Sequence, residues 1–439
     1  MIVGKMNLAA SSIHLIKLEG LIPSIILKIS IFMKNFYAGI YTLSVLLFVS
    51  CKPNTQSNIL SAGRNNHITT IDLNKSKDCN EHLYSSFFKE PKTIILETNE
   101  NCLIKRIHGI EIFNEKIYIH DDKMKRLFVF DTDGKFKYEI GKPGAGPGEY
   151  VELSDFSIDR DKNVIYLWDE AKKNAMRFDL NTTEFISSIH IPEIVGQSYS
   201  FLYKNNRFYI NSTTEHQESE KYLLNEIDCN SGQIIQKHLS AASYNKGWNI
   251  PLRVPNSNFY SKNNPSSQYI EMFSDTIVSV TDDGIFASYA IVSDLLTPQK
   301  VIDEINQEFY TSGGKINLMP LYMKGYIYQI CHFMDMDKYI YFQSTKGTDV
   351  QYSFFNKENG SIETSLILKN DYIAPNSYIH TDLVYNNENG VLTILNTDQL
   401  PRFIKYLSED KINKQLDKYE QLIKLDEESN PILFYHEYK

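Results

Sequence analysis

The feature that most constrains the fold is a repeat of 48 residues in the first half of the chain. Each copy holds three short alternating runs separated by polar turns: IYIHD (117–121), LFVFD (127–131) and FKYEI (136–140), then IYLWD (165–169), AMRFD (175–179) and FISSIHI (185–191). Asp121 and Asp169 are 48 residues apart. The same interval separates Asp131 from Asp179. A period in the 40s built from short strands predicts the blades of a β-propeller.

Further strand pairs extend this pattern to the end of the chain: RFYIN (207–211), DTIVSVTDDGIFASYAIV (275–292), KYIYFQS (338–344), QYSFFN (351–356) and LVYNNENGVLTILN (383–396). Asp-Gly between apolar runs is a strong hairpin signal. The chain is therefore expected to be all-β, a six-bladed β-propeller of four-stranded antiparallel blades, with five or seven blades or a β-sandwich series as alternatives. The strand TIILET (93–98) is expected to complete the last blade, because closing the ring removes both sheet edges.

Two segments have helical spacing instead. They are 301–310 and 408–428, and the second gives the propeller a short C-terminal helix. In it Ile412, Leu416, Tyr419 and Ile423 share one face, which is expected to pack on the side of the propeller.

Residues 33–51 have the layout of a bacterial lipoprotein signal peptide. Lys34 precedes an uncharged apolar run over 38–49, and Ser50 stands before Cys51, the expected lipidation site. An uncut signal anchor is the alternative, although the run is short for a membrane span. A second apolar stretch precedes Met33, so residues 1–32 are interpreted as a mis-annotated upstream extension. The predicted divisions are 1–32, the signal peptide 33–50, the lipidated cysteine and tether 51–91, and the propeller 92–439.

The segment GKPGAGPGEY (141–150) resembles the glycine-rich signature of NHL-type propellers. It is most similar to the six-bladed β-propeller lipoproteins common in Bacteroides-like bacteria, and the resemblance extends over residues 51–439, including a closing Asn-Pro strand at 429–439. A blade connector is expected from Gly141, Gly144, Gly146, Pro147, Gly148 and Glu149. The glycines allow positive φ, the proline stiffens the turn, and Glu149 is suited to cap neighbouring amides.

The composition excludes a nucleic-acid binder. The formal net charge is −9 and no basic cluster follows residue 60, whereas phosphate binding needs a concentrated positive surface. No catalytic motif is present, and no cofactor is expected. One alternative remains open: a metal-assisted lyase or hydrolase at the channel mouth. Its candidate ligands are His108, His120, His332, His380, Asp121 and Asp169.

A long polar loop over residues 241–270 is the predicted ligand-binding segment. Its candidate contacts are Trp248, Arg253, Tyr260 and Tyr269, because exposed aromatic and arginine side chains are common interface anchors. Packing of these aromatics onto the propeller is the alternative. The function predicted is a non-enzymatic binding or scaffold module for a peptide, glycan or partner protein. It is expected to be held to the envelope membrane by its lipid, facing the periplasm or the surface, and the resemblance suggests an outer-membrane uptake system as partner.

These assignments predict the mature N-terminus. Mass spectrometry of the protein from its native host should find a first residue at Cys51 that carries lipid, and no peptide from residues 1–32. Peptides from residues 1–32 would contradict a start at Met33, and an unmodified Cys51 would contradict the anchor.

Overall fold

The computed structural model describes residues 68–439, apart from residues 193, 195, 213–220, 251 and 253–257. Within this part, six sheets of mainly antiparallel strands each supply one blade of a propeller. The prediction of a six-bladed β-propeller is therefore confirmed. The predicted signal peptide lies outside the described residues.

The N-terminal part of the described chain runs along the outside of the ring before it enters a blade. Its elements are β1 (Thr69–Asp72), a 3-10 turn (Leu73–Lys75), β2 (Lys77–Asp78), β3 (His82–Leu83), α1 (Tyr84–Phe87) and β4 (Lys92–Ile95). β1 and β2 add to the outer edges of two blades as parallel fifth strands. Residues 69–91, assigned to the tether by the sequence, thus pack on the propeller, and Tyr84 and Phe88 are fully buried.

Blades 1 to 3 follow in chain order. Blade 1 consists of β5 (Ile107–Phe113), β6 (Lys116–Asp121), β7 (Arg126–Asp131) and β8 (Phe136–Glu139). After the connector strands β9 (Lys142–Pro143) and β10 (Glu149–Tyr150), blade 2 consists of β11 (Leu153–Asp159), β12 (Val164–Asp169), β13 (Asn174–Asp179) and β14 (Phe185–His190). Blade 3 consists of β15 (Phe201–Lys204), β16 (Arg207–Asn211), β17 (Tyr222–Asp228) and β18 (Ile234–Ser240), followed by α2 (Ala241–Tyr244).

Blades 4 to 6 are less regular. Blade 4 consists of β19 (Phe259–Tyr260), β20 (Ser267–Tyr269), β21 (Thr276–Thr281) and β22 (Gly284–Val292), and is followed by α3 (Gln299–Thr311) and α4 (Met319–Lys324). Blade 5 consists of β23 (Ile327–Asp335), β24 (Tyr339–Lys346), β25 (Asp349–Asn356) and β26 (Ile362–Ser365), and β27 (Leu368–Lys369) then pairs with β3. Blade 6 consists of β28 (Asp382–Asn386), β29 (Gly390–Leu395), β30 (Ile432–Glu437) and β4. Between β29 and β30 lie a 3-10 turn (Thr397–Gln399), α5 (Leu400–Ser408) and α6 (Tyr419–Leu422).

The repeated residues Asp121 and Asp169 have a structural role. Each is the last residue of the second strand of its blade, and its side chain accepts hydrogen bonds from backbone amides that lie just before the first strand. Asn211 has the same position and the same role in blade 3. The amides are those of Lys105, Val151 and Tyr199, at 2.6, 2.9 and 2.9 Å. These side chains therefore fix where the inner strands of blades 1 to 3 begin, because the polar backbone there needs partners.

The core lies between adjacent blades. Phe128 and Phe130 of blade 1 pack in one cluster with Leu392 and Leu433 of blade 6, and all four are fully buried. Burying a side chain of this size contributes about 1.5–3 kcal/mol. Similar clusters join the other blades, so the ring depends on contacts between neighbours all the way round.

The helical predictions have mixed outcomes. The segment 301–310 lies within α3, as predicted. The predicted short C-terminal helix is present, but it does not extend over 408–428: α5 ends at Ser408, and beyond it only Tyr419–Leu422 is helical in that range. Asp410 and Lys418 adopt positive φ, which interrupts a right-handed helix. Ile412 and Leu416 are nevertheless buried against the propeller, as their spacing suggested, whereas Ile423, assigned to the same face, is 47% exposed.

Blade 6 closes the ring by placing β30 between β29 and the N-terminal strand β4. The pairing joins Ile432 with Ile95 and Tyr435 with Lys92. Asn430, just before β30, stabilises this junction through three hydrogen bonds. It is 2% exposed, its Oδ1 accepts from the Ile104 amide at 2.8 Å, and its Nδ2 donates to the carbonyls of residues 97 and 102 at 2.7 and 2.8 Å.

Removal of this side chain should destabilise the ring. Asn430→Ala leaves one buried amide and two buried carbonyls without partners, so we expect the free energy of unfolding to fall by on the order of 3 kcal/mol. Urea unfolding followed by circular dichroism measures the change, with Asn389→Ala on an exposed turn of the same blade as the control. Equal unfolding curves for the two variants would contradict this role for Asn430.

Candidate functional site

A cavity of about 490 Å³ occupies the central channel. Five of the six blades line it, through residues 105–111, 155–156, 259–263 and 332–334 and through residues between 382 and 398. Its walls mix apolar side chains such as Ile110 and Met334 with charged ones. Ligand sites in proteins are typically concave, mostly apolar and fitted with a few placed polar groups. The cavity therefore has the size of a small-molecule site, with a more polar lining than is usual.

One turn bridges the channel and limits the cavity on one side. This channel turn, residues 261–264, connects β19 and β20 of blade 4. Lys262 Nζ donates to Asp155 Oδ2 at 2.6 Å and to the Phe156 carbonyl at 3.1 Å, both in blade 2. Lys204 of blade 3 donates to the Asn264 carbonyl at 2.8 Å. The turn is thus held from across the channel.

Blade 6 holds the opposite side of the channel turn. Ser261 lies 2.6 Å from Asn386 Oδ1, to which its hydroxyl donates. Asn263 Nδ2 donates to the Tyr385 hydroxyl at 3.1 Å and to the Asn386 carbonyl at 3.2 Å. Because blades 2, 3 and 6 all bond to it, the channel turn is a fixed part of the cavity wall.

Two ion pairs lie beside the channel turn. Glu111 Oε2 accepts from Arg160 Nη2 at 3.3 Å, and Lys262 pairs with Asp155. Glu111 is 5% exposed and Asp155 1%. Burial raises the pKa of Glu111 although Arg160 and Lys262 oppose the rise. Buried charges of this kind need partners, and here each has one.

A different set of polar groups lines the rest of the cavity. Asp382 accepts from His380 Nε2 at 2.8 Å and from Asn396 Nδ2 at 2.7 Å. The hydrogen bond to Asp382, opposed by burial, raises the pKa of His380. Arg106, which pairs with Asp122, and Lys105 lie on the blade 1 side.

Of the four residues predicted to contact a ligand, one lines the cavity, two are buried in the protein and one lies outside the described residues. Trp248 is 6% exposed and packs against Phe273, with ring centroids 4.6 Å apart, and Tyr269 is fully buried in β20. Tyr260 lines the cavity with a half-buried side chain. Arg253 and Cys51 lie outside the described residues.

The glycine-rich signature lies between blades 1 and 2. Its strands β9 and β10 pair in parallel, and Gly141 and Gly148 have φ of 65° and 74°, where a Cβ would be strained. Glu149 Oε2 accepts from the Gly146 amide at 2.8 Å, and its other carboxylate oxygen pairs with Lys142. Neither Gly144 nor Pro147 lines the cavity.

Sequence reasoning missed the groups that shape the cavity. Glu111 and Asp155 stand within inner strands whose residues are largely buried, and a charged residue in such a strand is the signal that could have identified them. Lys262 and Asn263 lie inside the predicted loop, in which the residue pattern favours the aromatic side chains as contacts. Their role depends on contacts with other blades, which no local pattern reveals.

The histidines considered as metal ligands do not converge. His108 and His332 line the cavity, whereas the His120 ring is fully buried behind His108 with the ring centroids 5.2 Å apart. His120 Nε2–H donates to the Leu153 carbonyl at 3.2 Å. In the described ranges no three His, Cys, Asp or Glu side chains are arranged to hold a metal ion.

The comparisons with known proteins bear on the fold and the family. The family model described as "Domain of unknown function (DUF4934)" matches residues 68–437. A crystal structure of a Bacteroides fragilis NCTC 9343 protein, whose description proposes that it is exported, is 18% identical, with a TM-score of 0.67 over 85% of this chain and 100% of that chain. A DUF4221 family member from Bacteroides vulgatus ATCC 8482 is 12% identical, with a TM-score of 0.47 over 80% and 97%. No curated protein matches.

The buried histidine behind the cavity predicts a pH dependence of stability. Burial, and then the neighbouring His108, lower the pKa of His120 from 6.5 to about 3. Between these two pH values the folded protein therefore binds fewer protons than the unfolded chain. The contribution of neutral His120 to the free energy of unfolding is complete above pH 6.5 and falls as the pH drops towards 3. We expect His120→Gln to destabilise most at pH 7.5 and less at pH 4.5, measured by thermal unfolding.

The exposed His190→Gln serves as the control for loss of a histidine elsewhere. A constant difference between His120→Gln and the unmodified protein from pH 7.5 to 4.5 would contradict this assignment.

Proposed function

The chain belongs to the DUF4934 family, and from this premise we propose that it is a lipid-anchored protein of the bacterial envelope that binds a small ligand in its propeller cavity without chemical conversion. The bound ligand would be presented to a partner protein of the same envelope. A rigid ring with one central site suits such a role, because binding groups on a fixed scaffold need little ordering when the ligand arrives.

Two observations support an envelope location. Residues 33–51 have the charge, apolar run and cysteine of a lipoprotein signal peptide. The structurally similar Bacteroides fragilis protein is described as a proposed exported protein. In the described part of the chain, no helix has the length and apolarity to cross a membrane.

The observation that carries the binding role is the cavity, which the channel turn limits on one side. Five blades contribute to it, and the channel turn is bonded to blades 2, 3 and 6. A propeller channel that served only as packing would be expected to fill with side chains. Here a space of about 490 Å³ remains beside the hydrogen-bonded channel turn, within the usual size range of ligand pockets.

Filling the cavity tests the proposal. Val384 lines it with a half-buried side chain, so Val384→Trp should occupy much of the space. The full chain, purified from native envelopes in mild detergent, is denatured, and the released small molecules are identified by mass spectrometry. We expect a molecule that is released by the unmodified protein and reduced at least tenfold in Val384→Trp.

Val350→Trp makes the same change at an exposed strand position outside the cavity and should retain the molecule. The proposal fails if no molecule depends on the cavity, or if both tryptophan variants lose it equally. Proteins recovered in the same purification identify the partner.

A further inference from the structure

The segment between blades 4 and 5 leaves three apolar side chains exposed to solvent. Ile316, Met319 and Met323 are 39%, 53% and 75% exposed. Met319 and Met323 are four residues apart on α4, so they lie on one face of that helix. Single exposed apolar residues are common, whereas a group of them usually marks a surface that another body covers. We call these three residues the methionine surface.

The opposite face of α4 holds the helix on the protein. Leu321 is fully buried in one cluster with Ile302 and Ile305 of α3. Just after α4, the Tyr326 carbonyl accepts a hydrogen bond from the Gly347 amide of blade 5 at 3.0 Å. The methionine surface therefore cannot turn inwards without breaking this packing.

The charge of the segment suits an anionic surface. No acidic residue stands between Glu308 and Asp335, whereas Lys315 and Lys324 flank the methionine surface and are exposed. Glu308 accepts from Asn317 Nδ2 at 3.0 Å. The whole chain carries a net charge of −9, so this stretch is a basic region on an acidic protein. Exposed apolar side chains flanked by lysines are typical of segments that lie on membranes with anionic lipids.

The chain that leads to the predicted lipid joins the propeller at the same blade. β1 begins at Thr69 and pairs with the end of β22, the outer strand of blade 4. β22 ends at Val292, and α3 begins shortly after it at Gln299. The residues between Cys51 and Thr69 span at most about 65 Å even when fully extended. A membrane that holds a lipid on Cys51 is therefore within reach of the methionine surface.

We propose that the methionine surface lies on the membrane that holds the lipid anchor, with Met319 and Met323 among the lipid head groups and Lys315 and Lys324 beside lipid phosphates. The inference rests on the lipid anchor of the proposed function. An anchor alone does not orient a protein, whereas this second contact gives the propeller one fixed orientation on the bilayer. Because the anchor makes the second contact intramolecular, a small apolar surface is sufficient.

Tryptophan fluorescence tests whether the methionine surface enters the bilayer. The chain has two tryptophans, Trp168 and Trp248, which are 0% and 6% exposed, so a third one at the surface reports on its own surroundings. Met323→Trp is compared with Ile186→Trp, at a 46% exposed position on β14 of blade 2. Each full chain, purified from native envelopes, is transferred from detergent into vesicles of phosphatidylcholine and phosphatidylglycerol, with or without bromine on the acyl chains.

We expect bromine to quench the added fluorescence of Met323→Trp at least about threefold and to leave that of Ile186→Trp unchanged, because only the first side chain reaches the acyl chains. Addition of Met319→Glu to Met323→Trp should abolish the quenching, since a carboxylate is costly to place in a bilayer and is repelled by anionic lipids. All of these positions are exposed, so the far-ultraviolet circular dichroism of the variants should equal that of the unmodified protein.

Flotation of the vesicles measures the lipid anchor separately. Met323→Trp that floats with the vesicles but is not quenched would overturn the membrane contact and leave the anchor intact. Emission at short wavelength that bromine does not change would assign the surface to a second copy of the chain or another protein, and would also overturn the inference. Equal quenching of Met323→Trp and Ile186→Trp would contradict a preferred face. If no variant floats, the anchor of the proposed function fails and the inference fails with it.

Discussion

The structure depends on one pairing between strands that are more than 330 residues apart in the chain. β30 lies against β4, so the last blade is built from both ends of the described sequence, and Asn430 bonds to the segment that leads from β4 into blade 1. Every inner strand keeps its place only because the ring is closed. Contacts of such long sequence separation form at a high cost in chain entropy, which the buried interfaces between blades must offset.

The central cavity is a consequence of this closed ring. Six inner strands cannot approach each other fully, and the remaining space is crossed by the channel turn, whose Lys262 reaches blade 2 and whose Ser261 and Asn263 reach blade 6. The polar groups that hold the turn are mostly satisfied by one another. A site for a small ligand thus follows from the way the channel is filled.

The sequence predicted the blades well because the repeat is a local pattern. The 48-residue spacing of Asp121 and Asp169 reflects a hydrogen-bonding role that recurs in each regular blade. The predictions that failed concern features that tertiary contacts determine. The segment 408–428 does not form one helix because Asp410 and Lys418 adopt positive φ. Trp248 is buried against Phe273 although its loop is polar. Of the residues proposed from the sequence, His108, Tyr260 and His332 line the cavity. The rest of its lining was not predicted, since its walls come from five separate blades.

The most direct test is a crystal structure of the full chain purified from native envelopes without refolding. We predict density in the central cavity, beside the channel turn, that belongs to no protein atom. A cavity that holds only water, or that the surrounding side chains have closed, would contradict the claim that this propeller carries its ligand in the channel.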